Sequence, residues 1–326
     1  MKEKVLYPLK FKPILKPKVW GGEKLHTVLA KDKVGDKIGE SWEISGVEGD
    51  ISIVENGSLK GESLQQLIKT YKEKLVGNNI YRKFKDNFPL LIKFIDAKEN
   101  LSVQVHPGDE IASKRHNSLG KTEMWYIVQA DSQAKIVTGF KKGISKEDYL
   151  LHLKEESLEE ILNKEVVESG ETFFIKAGLI HAIGSGVLLA EIQETSDITY
   201  RIYDYNREGI DGEKRDLHTD LALETIDYES NDDYKVEYTP KKNELTSLVN
   251  CSYFTTQLLY ITKHDSFKLS INEDCFVILM CVEGEAQIEY ELGKEEIRLG
   301  ESLLIPASLK EIEIKSQNCK LLHVTM

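Results

Sequence analysis

The chain is poor in the features that would announce a membrane, secreted or nucleic-acid-binding protein. Four cysteines, Cys251, Cys275, Cys281 and Cys319, form no CxxC pair and no zinc-ribbon spacing, so they are read as reduced core residues of a cytoplasmic protein. Seven prolines in 326 residues exclude a proline-rich linker or fibrous chain. The longest apolar run, FVILMCV at 276–282, is far below the ~20 residues a spanning helix needs. The N-terminal MKEKVLYPLKF has neither an apolar h-region nor a small-residue cleavage site, so no secretory leader is expected. Positive charge is also in deficit: 43 Lys and Arg face 55 acids, for a net charge of −12. That balance argues against nucleic acid as a partner, yet a few cations focused in a cleft still suffice for a small anion.

What the chain has in abundance is strand texture, and one phrase of it occurs twice. Residues 170–181 read GETFFIKAGLIH and residues 300–311 read GESLLIPASLKE. Both open Gly-Glu, continue through mostly apolar residues and place Ala seven positions after the Gly, but the first ends in His181 and the second in Glu311. With a length beyond the roughly 250–300 residues at which single cores stop growing, the repeat suggests two related units. The charged stretch 229–244 supplies a boundary, giving expected domains of 1–235 and 236–326. After it the sequence is wholly strand-like, with Gly-containing turns, as in a jelly roll.

Helical periodicity intrudes in the first unit. Leu64, Leu67, Ile68, Tyr71 and Leu75 recur at helical spacing behind Ser58 or Ser63 as a cap. A second helix is expected across 145–163, where Ser145 and Asp148 form a capping-box-like start before Tyr149, Leu150, Leu153, Leu158, Ile161 and Leu162. Shorter helices are expected near 110–117 and 216–228.

The strand LSVQVHPGD carries the first chemical signal. A period of two puts Ser102, Gln104 and His106 on one face and Leu101, Val103 and Val105 on the other. Alone, such a pair of donors describes a half-solvated strand more readily than a site. Glu123, at the start of the apolar strand TEMWYIV, needs a partner if buried, and Lys121 is the plain one. His181 follows Gly178, which permits a tight turn after TFFIKA. Together Gln104, His106, Glu123 and His181 could make a four-coordinate site for a borderline divalent ion. With three neutral ligands and one carboxylate the ion would keep a net positive charge and polarise a carbonyl or hydroxyl.

The order QxH, then Glu, then a Gly-rich turn ending in His resembles the metal signature of the cupin superfamily, with Lys176 where the second motif usually has Pro. More narrowly, VWGG at 19–22, IGESWEIS at 38–45, PLLIKFIDA at 89–97, LSVQVHP at 101–107, KTEMWYI at 121–127, AGLIHAIG at 177–184 and EIQETSDITYRIYDY at 191–205 resemble the type I phosphomannose isomerases. The match runs in order through the first two hundred residues and weakens in the last third. It implies a mainly β fold of two cupin-like jelly-roll barrels, with a few helices inserted in the N-terminal catalytic half. It further implies one Zn2+ per chain held by Gln104, His106, Glu123 and His181, and interconversion of mannose 6-phosphate and fructose 6-phosphate. The family's active-site arginine falls on Arg201, and Lys93, Ser102, Lys121, Glu191 and Asp197 fall on other pocket positions, Ser102, Lys121 and Asp197 as substrate contacts. Two departures stand out. A large helical insertion of longer relatives is reduced here to the helix near 145–163, and their His-Lys-Pro-Glu reads Gly120-Lys121-Thr122-Glu123.

Isomerising an aldose to a ketose moves a proton between C1 and C2 through an enediol whose oxygens gain negative charge, which suits a metal and an arginine. Arg201 is expected to stabilise or orient that species, with Glu191 or Lys93 handling protons. Lys93, flanked by apolar residues, is open to three readings: a base with a depressed pKa, a phosphate ligand, or the solvent side of an edge strand. Glu191 and Arg201 are catalytic only if their strand faces meet over one pocket. Two other activities compete. Two His and a carboxylate also form the facial triad of non-haem Fe(II) oxygenases, which leaves Gln104 and the Lys93, Lys121 and Arg201 set unexplained. A non-catalytic sugar-binding cupin is the third. The second unit has no QxH and carries Glu311 in place of His181, so it is expected to bind no metal and to pack against the first.

Overall fold

The computed structural model describes residues 5–228 and 234–326. It is mainly β, with three sheets and short helices. The first sheet has the spatial order Ile14–Gly22, Ile38–Ile44, Leu90–Ala97, Val187–Glu194, Glu123–Ala130, Thr172–Ile175, all antiparallel. Facing it, a second sheet runs Tyr200–Tyr203, Val103–Val105, His181–Ile183, Lys135–Phe140, Leu162–Val166. These two sheets form the first jelly roll. The third sheet runs Leu245–Asn250, Thr255–Ser270, Glu311–Thr325, Val277–Tyr290, Gly293–Arg298, with Ser302–Ile305 also on Val277–Tyr290, and forms the second. Segments expected as separate strands, such as EIEIKS and KLLHVTM, fuse into the single 15-residue strand Glu311–Thr325.

Side-chain alternation divides the first sheet between two tasks. Leu90, Ile92, Phe94, Met124, Tyr126, Leu188, Ala190 and Ile192 point backwards into an apolar core shared with Leu258, Phe276, Ile278, Met280 and Leu322 of the second jelly roll. The intervening Lys93, Glu123, Glu191 and Gln193 are buried as well, on the face that looks into the first barrel. The seam between the units is also stitched by backbone. Leu9 and Leu304 exchange two hydrogen bonds of 2.8 and 2.9 Å, and Asn78 N–H donates to Glu273 O at 3.0 Å. Gly77, at φ +96°, lies so close to this seam that a β-carbon there would sit 2.4 Å from Asp274 backbone.

The Ser63 cap is realised: Leu64–Tyr71 starts with a capping box between Ser63 and Gln66 and buries Leu64, Leu67, Ile68 and Tyr71. Lys72, at φ +50°, ends that helix, so Leu75 belongs to the next one, Glu73–Val76. A further helix, Asn78–Phe84, was not expected. The predicted helix across 145–163 is corrected. Its Ser145–Asp148 capping box is present, but the helix is Lys146–Lys154, Glu156 sits at φ +56°, and Leu162 opens a strand. Leu150 and Leu151 are 41% and 50% exposed, so the apolar stripe spans two elements rather than one. The helices Asp109–His116 and Thr219–Leu223 fall within the stretches expected to be helical. Part of the boundary stretch, 229–233, lies outside the described residues. Residues 234–236 still pair with the first sheet through Phe174 N–H to Tyr234 O and Val236 N–H to Thr172 O. No helix among the described residues is long and apolar enough to cross a membrane.

Candidate metal centre and substrate pocket

The doubled phrase folds the same way at its start and differently at its end. Gly170 and Gly300 have φ of +91° and +88°, and each precedes a four-residue strand, Thr172–Ile175 or Ser302–Ile305. In the first copy Gly178, at φ +88°, turns the chain so that His181 enters the second sheet buried, beside Gln104 in register. The corresponding Ser308 has no positive φ, and Glu311 stands exposed, 3.9 Å from Lys268. Among the described residues His106, Glu123 and His181 form the one cluster of His, Cys, Asp and Glu whose ligand atoms converge, all within 4.8 Å.

The geometry of that cluster is short of positive charge. His106 Nδ1 lies 2.8 Å from Ile198 O and His181 Nδ1 lies 2.9 Å from Leu179 O. A carbonyl only accepts, so both Nδ1 atoms carry the proton and both Nε2 atoms present lone pairs. Those two Nε2 atoms are 3.1 Å apart. Glu123 adds two buried carboxylate oxygens without hydrogen-bond partners, at 3.4 Å from His106 Nε2 and 3.9 Å from His181 Nε2. Burial first, then Lys121 and the neighbouring His181, push His106 well below the ordinary imidazole range; burial pushes His181 down to about 4. Gln104 completes the ring, its Nε2 3.3 Å from His181 Nε2. Lys121 Nζ, 2.9 Å from Glu123 and 3.2 Å from His106 Nε2, is the cation at hand. Converging lone pairs and a buried carboxylate that has only the Lys121 ammonium beside it are what a divalent cation satisfies, and this donor set fits one.

Beside the cluster opens a cavity of about 300 Å³ lined by both sheets. It brings together Lys93, Ser102, Gln104, Lys121, Glu191, Asp197 and Arg201. The strand faces bearing Glu191 and Arg201 therefore meet over one pocket. Trp125 joins pocket to cluster: its ring lies edge-on to His181, and its Nε1 donates to Glu191 Oε2 at 2.9 Å. Glu191 Oε1 accepts from Lys93 Nζ at 3.0 Å, a pair set directly across the sheet.

Lys93 departs from two of its expected readings. It lies on an interior strand and is 5% exposed, so it is no solvent-facing edge residue. Burial alone would lower its pKa, but Glu191, Glu40 and Glu123 outweigh burial and raise it, so the lysine stays charged. Glu40, 3.9 Å away, answers in kind: burial would raise it, but Lys93 and Lys18 hold it at about 2. A second correction concerns Leu101. The strand begins at Val103, and Leu101 turns into the cavity instead of packing with Val103 and Val105.

Several residues that line the pocket were not among the expected site residues: Lys18, Trp20, Glu40, Trp42, Thr199 and Arg215. Glu40 and Trp42 had a faint signal, alternating on the strand IGESWEI. Arg215 had none, because it arrives from an irregular hairpin. The expected substrate contact Asp197 is exposed, while Ser102 and Lys121 are buried.

Comparison with known proteins agrees with this architecture. A model of the type I phosphomannose isomerase catalytic domain matches residues 9–122, and one of the mannose-6-phosphate isomerase cupin domain matches residues 244–326. Mannose-6-phosphate isomerase ManA of Bacillus subtilis is 32% identical over 318 residues, covering 94% of this chain and 96% of its own. The mannose-6-phosphate isomerase of Streptococcus mutans is 32% identical over 304 residues, 93% of each chain. The crystal structure of the mannose 6-phosphate isomerase from Bacillus subtilis superposes with a TM-score of 0.89 at 29% identity, over 98% of this chain and 100% of that one.

Proposed function

The chain belongs to the type I phosphomannose isomerase family, and from that premise we propose how its pocket interconverts mannose 6-phosphate and fructose 6-phosphate. The observation that carries the reading is a buried donor cluster lying against a cavity that the Lys93–Glu191 pair and Arg201 line, with Trp125 joining the two. Gln104, through its amide oxygen, His106, Glu123 and His181 are the residues that would hold Zn2+. When bound, the ion would supply Lewis acidity toward the C1 and C2 oxygens without redox chemistry of its own.

The remaining roles fall to side chains. Glu191 is the proton carrier between C2 and C1, and Lys93 orients it. The charged Lys93 holds that carboxylate in place at 3.0 Å, and is itself a poor base. Arg201 reaches the pocket from the opposite sheet, where a planar cation can face an enediolate. Ser102, Lys121 and Asp197 contact the sugar. Catalysis resides in 1–235, and 236–326 supports the sheet from behind. The enzyme works in the cytoplasm.

Metal analysis coupled to an assay of mannose 6-phosphate turnover tests the reading before and after chelation. Activity should vanish with the metal and return with zinc, without oxygen uptake. Full activity in a verified metal-free sample would overturn the metal's role, and oxygen consumption would favour the oxygenase.

A further inference from the structure

Arg201 lies on Tyr200–Tyr203, which ends the second sheet, so the side of this strand away from Val103–Val105 has no strand among the described residues to take its N–H and C=O groups. Residues 216–218 take them instead. His218 N–H donates to Arg201 O at 2.7 Å, and Arg201 N–H donates to the ring Nδ1 of His218 at 3.2 Å. In ordinary antiparallel pairing the second bond would go to the His218 carbonyl. That carbonyl is already engaged by Ala222 N–H at 2.9 Å, at the start of the helix Thr219–Leu223, and the imidazole stands in for it. Two residues earlier, Asp216 O accepts from Arg201 Nη1 at 2.8 Å. On its other side Arg201 is paired in register with Gln104 of the donor cluster.

The guanidinium itself is lightly moored. Among the described residues no carboxylate lies within 4.0 Å of it, although Asp204 and Asp216 favour its charge while Arg215 and Arg207 oppose it. Its Nε is buried without a partner, so the Asp216 carbonyl is the hydrogen bond that sets its direction. Where that carbonyl sits depends on the two-point clamp at His218. The clamp works only while Nδ1 keeps its lone pair, that is, with the ring neutral and its proton on Nε2. Burial and then Arg201 push His218 below the ordinary imidazole range against the smaller pull of Asp216, which favours that neutral ring. We propose that His218 is a positioning residue: its Nδ1 and N–H lock residues 216–218 onto the edge strand in the register that sets Asp216 O against the Arg201 guanidinium and directs that guanidinium into the cavity. This rests on the role given to Arg201 in the isomerase reading above.

The test compares the zinc-loaded parent with His218→Leu, His218→Gln and His218→Asn. Loss of a hydrogen bond that acts on the transition state predicts a fall of about ten- to a hundredfold in kcat for His218→Leu, with KM within about threefold and metal content unchanged. His218→Asn places an amide oxygen near the position of Nδ1 and should recover kcat to within about threefold, whereas His218→Gln, whose oxygen lies one bond farther out, should not. In an Arg201→Ala background His218→Leu should change turnover by less than about twofold, because a residue that acts through Arg201 then has nothing to position. Exchange of the Arg201 amide hydrogen, read by NMR, should quicken at least about tenfold in His218→Leu and stay slow in His218→Asn. Should His218→Leu fail to fold, His218→Gln, polar and similar in size, carries the same kinetic and exchange comparison. An equal loss in the Arg201→Ala background, or unchanged amide exchange, would overturn the positioning role. A parent that shows the exchange difference but no turnover of mannose 6-phosphate would instead sink the function while the clamp stands.

Discussion

Lys93 and Glu191 offer the most demanding check, because their buried pairing bears on stability and on the proton transfer proposed for Glu191. Their charged atoms are 3.0 Å apart, and a second carboxylate, Glu40, lies 3.9 Å from the same ammonium. Replacing Lys93 with Met keeps the volume but leaves two carboxylates in a dry pocket with only Lys18, Trp125 and Trp42 as donors. Breaking a buried pair from one side costs about 3–5 kcal/mol. Glu191→Gln should cost less, about 1–3 kcal/mol, because Lys93 keeps Glu40 and the amide still accepts one hydrogen bond. The double variant removes both charges, so its cost should fall at least about 2 kcal/mol below the sum of the singles. Denaturant unfolding of metal-free protein at pH 7 measures this without linkage to metal binding. Turnover should behave differently. All three variants should lose at least about a hundredfold in kcat, since restored stability does not restore a proton carrier. Additivity within about 0.5 kcal/mol would refute the pairing as an energetic unit, and a double variant with near-parental turnover would remove Glu191 from the chemistry.

Three further outcomes follow from single positions. Gly178→Ala forces a side chain at φ +88° and brings its β-carbon 3.1 Å from Thr225 O, so it should cost about 1–3 kcal/mol and weaken metal retention in equilibrium dialysis through His181. Gly77→Ala meets second-barrel backbone at 2.4 Å, whereas Gly49→Ala, also at positive φ, meets nothing within 4 Å. Denaturation should therefore show the former at least about 2 kcal/mol worse, and equal costs would deny the tight seam. Burial raises Glu194 to about 7, with the Thr122 N–H it accepts only partly offsetting. Between about pH 4.5 and 7 the folded state keeps a proton that the unfolded state has released, so this group makes stability fall as pH rises through that window. Glu194→Gln should match the parent near pH 4 and exceed it by about 1–3 kcal/mol at pH 8, and parallel pH profiles would refute the shift.

The chemistry was legible in the sequence where it rode on regular elements. Strand period put Gln104 and His106 on one face, but each of these two, like Glu123 and His181, had a plainer reading alone, and only the set of four with its family resemblance pointed to a metal. Capping signals at Ser63 and Ser145 were equally local, and both caps are formed. What failed were inferences that needed a neighbour from far along the chain. One of the three readings open for Lys93, a depressed base among apolar residues, fails because Glu191 and Glu40 arrive from other strands and reverse the shift. The helix after Ser145 reads as long because Leu158, Ile161 and Leu162 keep the spacing, yet the turn at Glu156 breaks it. Arg215 was invisible because a hairpin without periodicity delivers it, and only Asp204 fixes where it points.

In the strands Leu90–Ala97, Glu123–Ala130 and Val187–Glu194 odd numbers and even numbers hold different offices. Odd positions such as Lys93, Glu123 and Glu191 face the interior of the first barrel, where the cavity and the donor cluster lie, and even positions such as Phe94, Met124 and Ile192 fasten the two halves of the chain together. A slip of one residue in any of these pairings would exchange the offices wholesale, sending carboxylates into the seam and isoleucine into the pocket. Insertions and deletions inside these strands are thus forbidden twice over, once by reactivity and once by assembly, while the exposed tip at 210–213, between the anchored Arg207 and Arg215, is free to change length. Divergence among related enzymes should accordingly collect at the pocket mouth, where a new substrate can be met without disturbing the count.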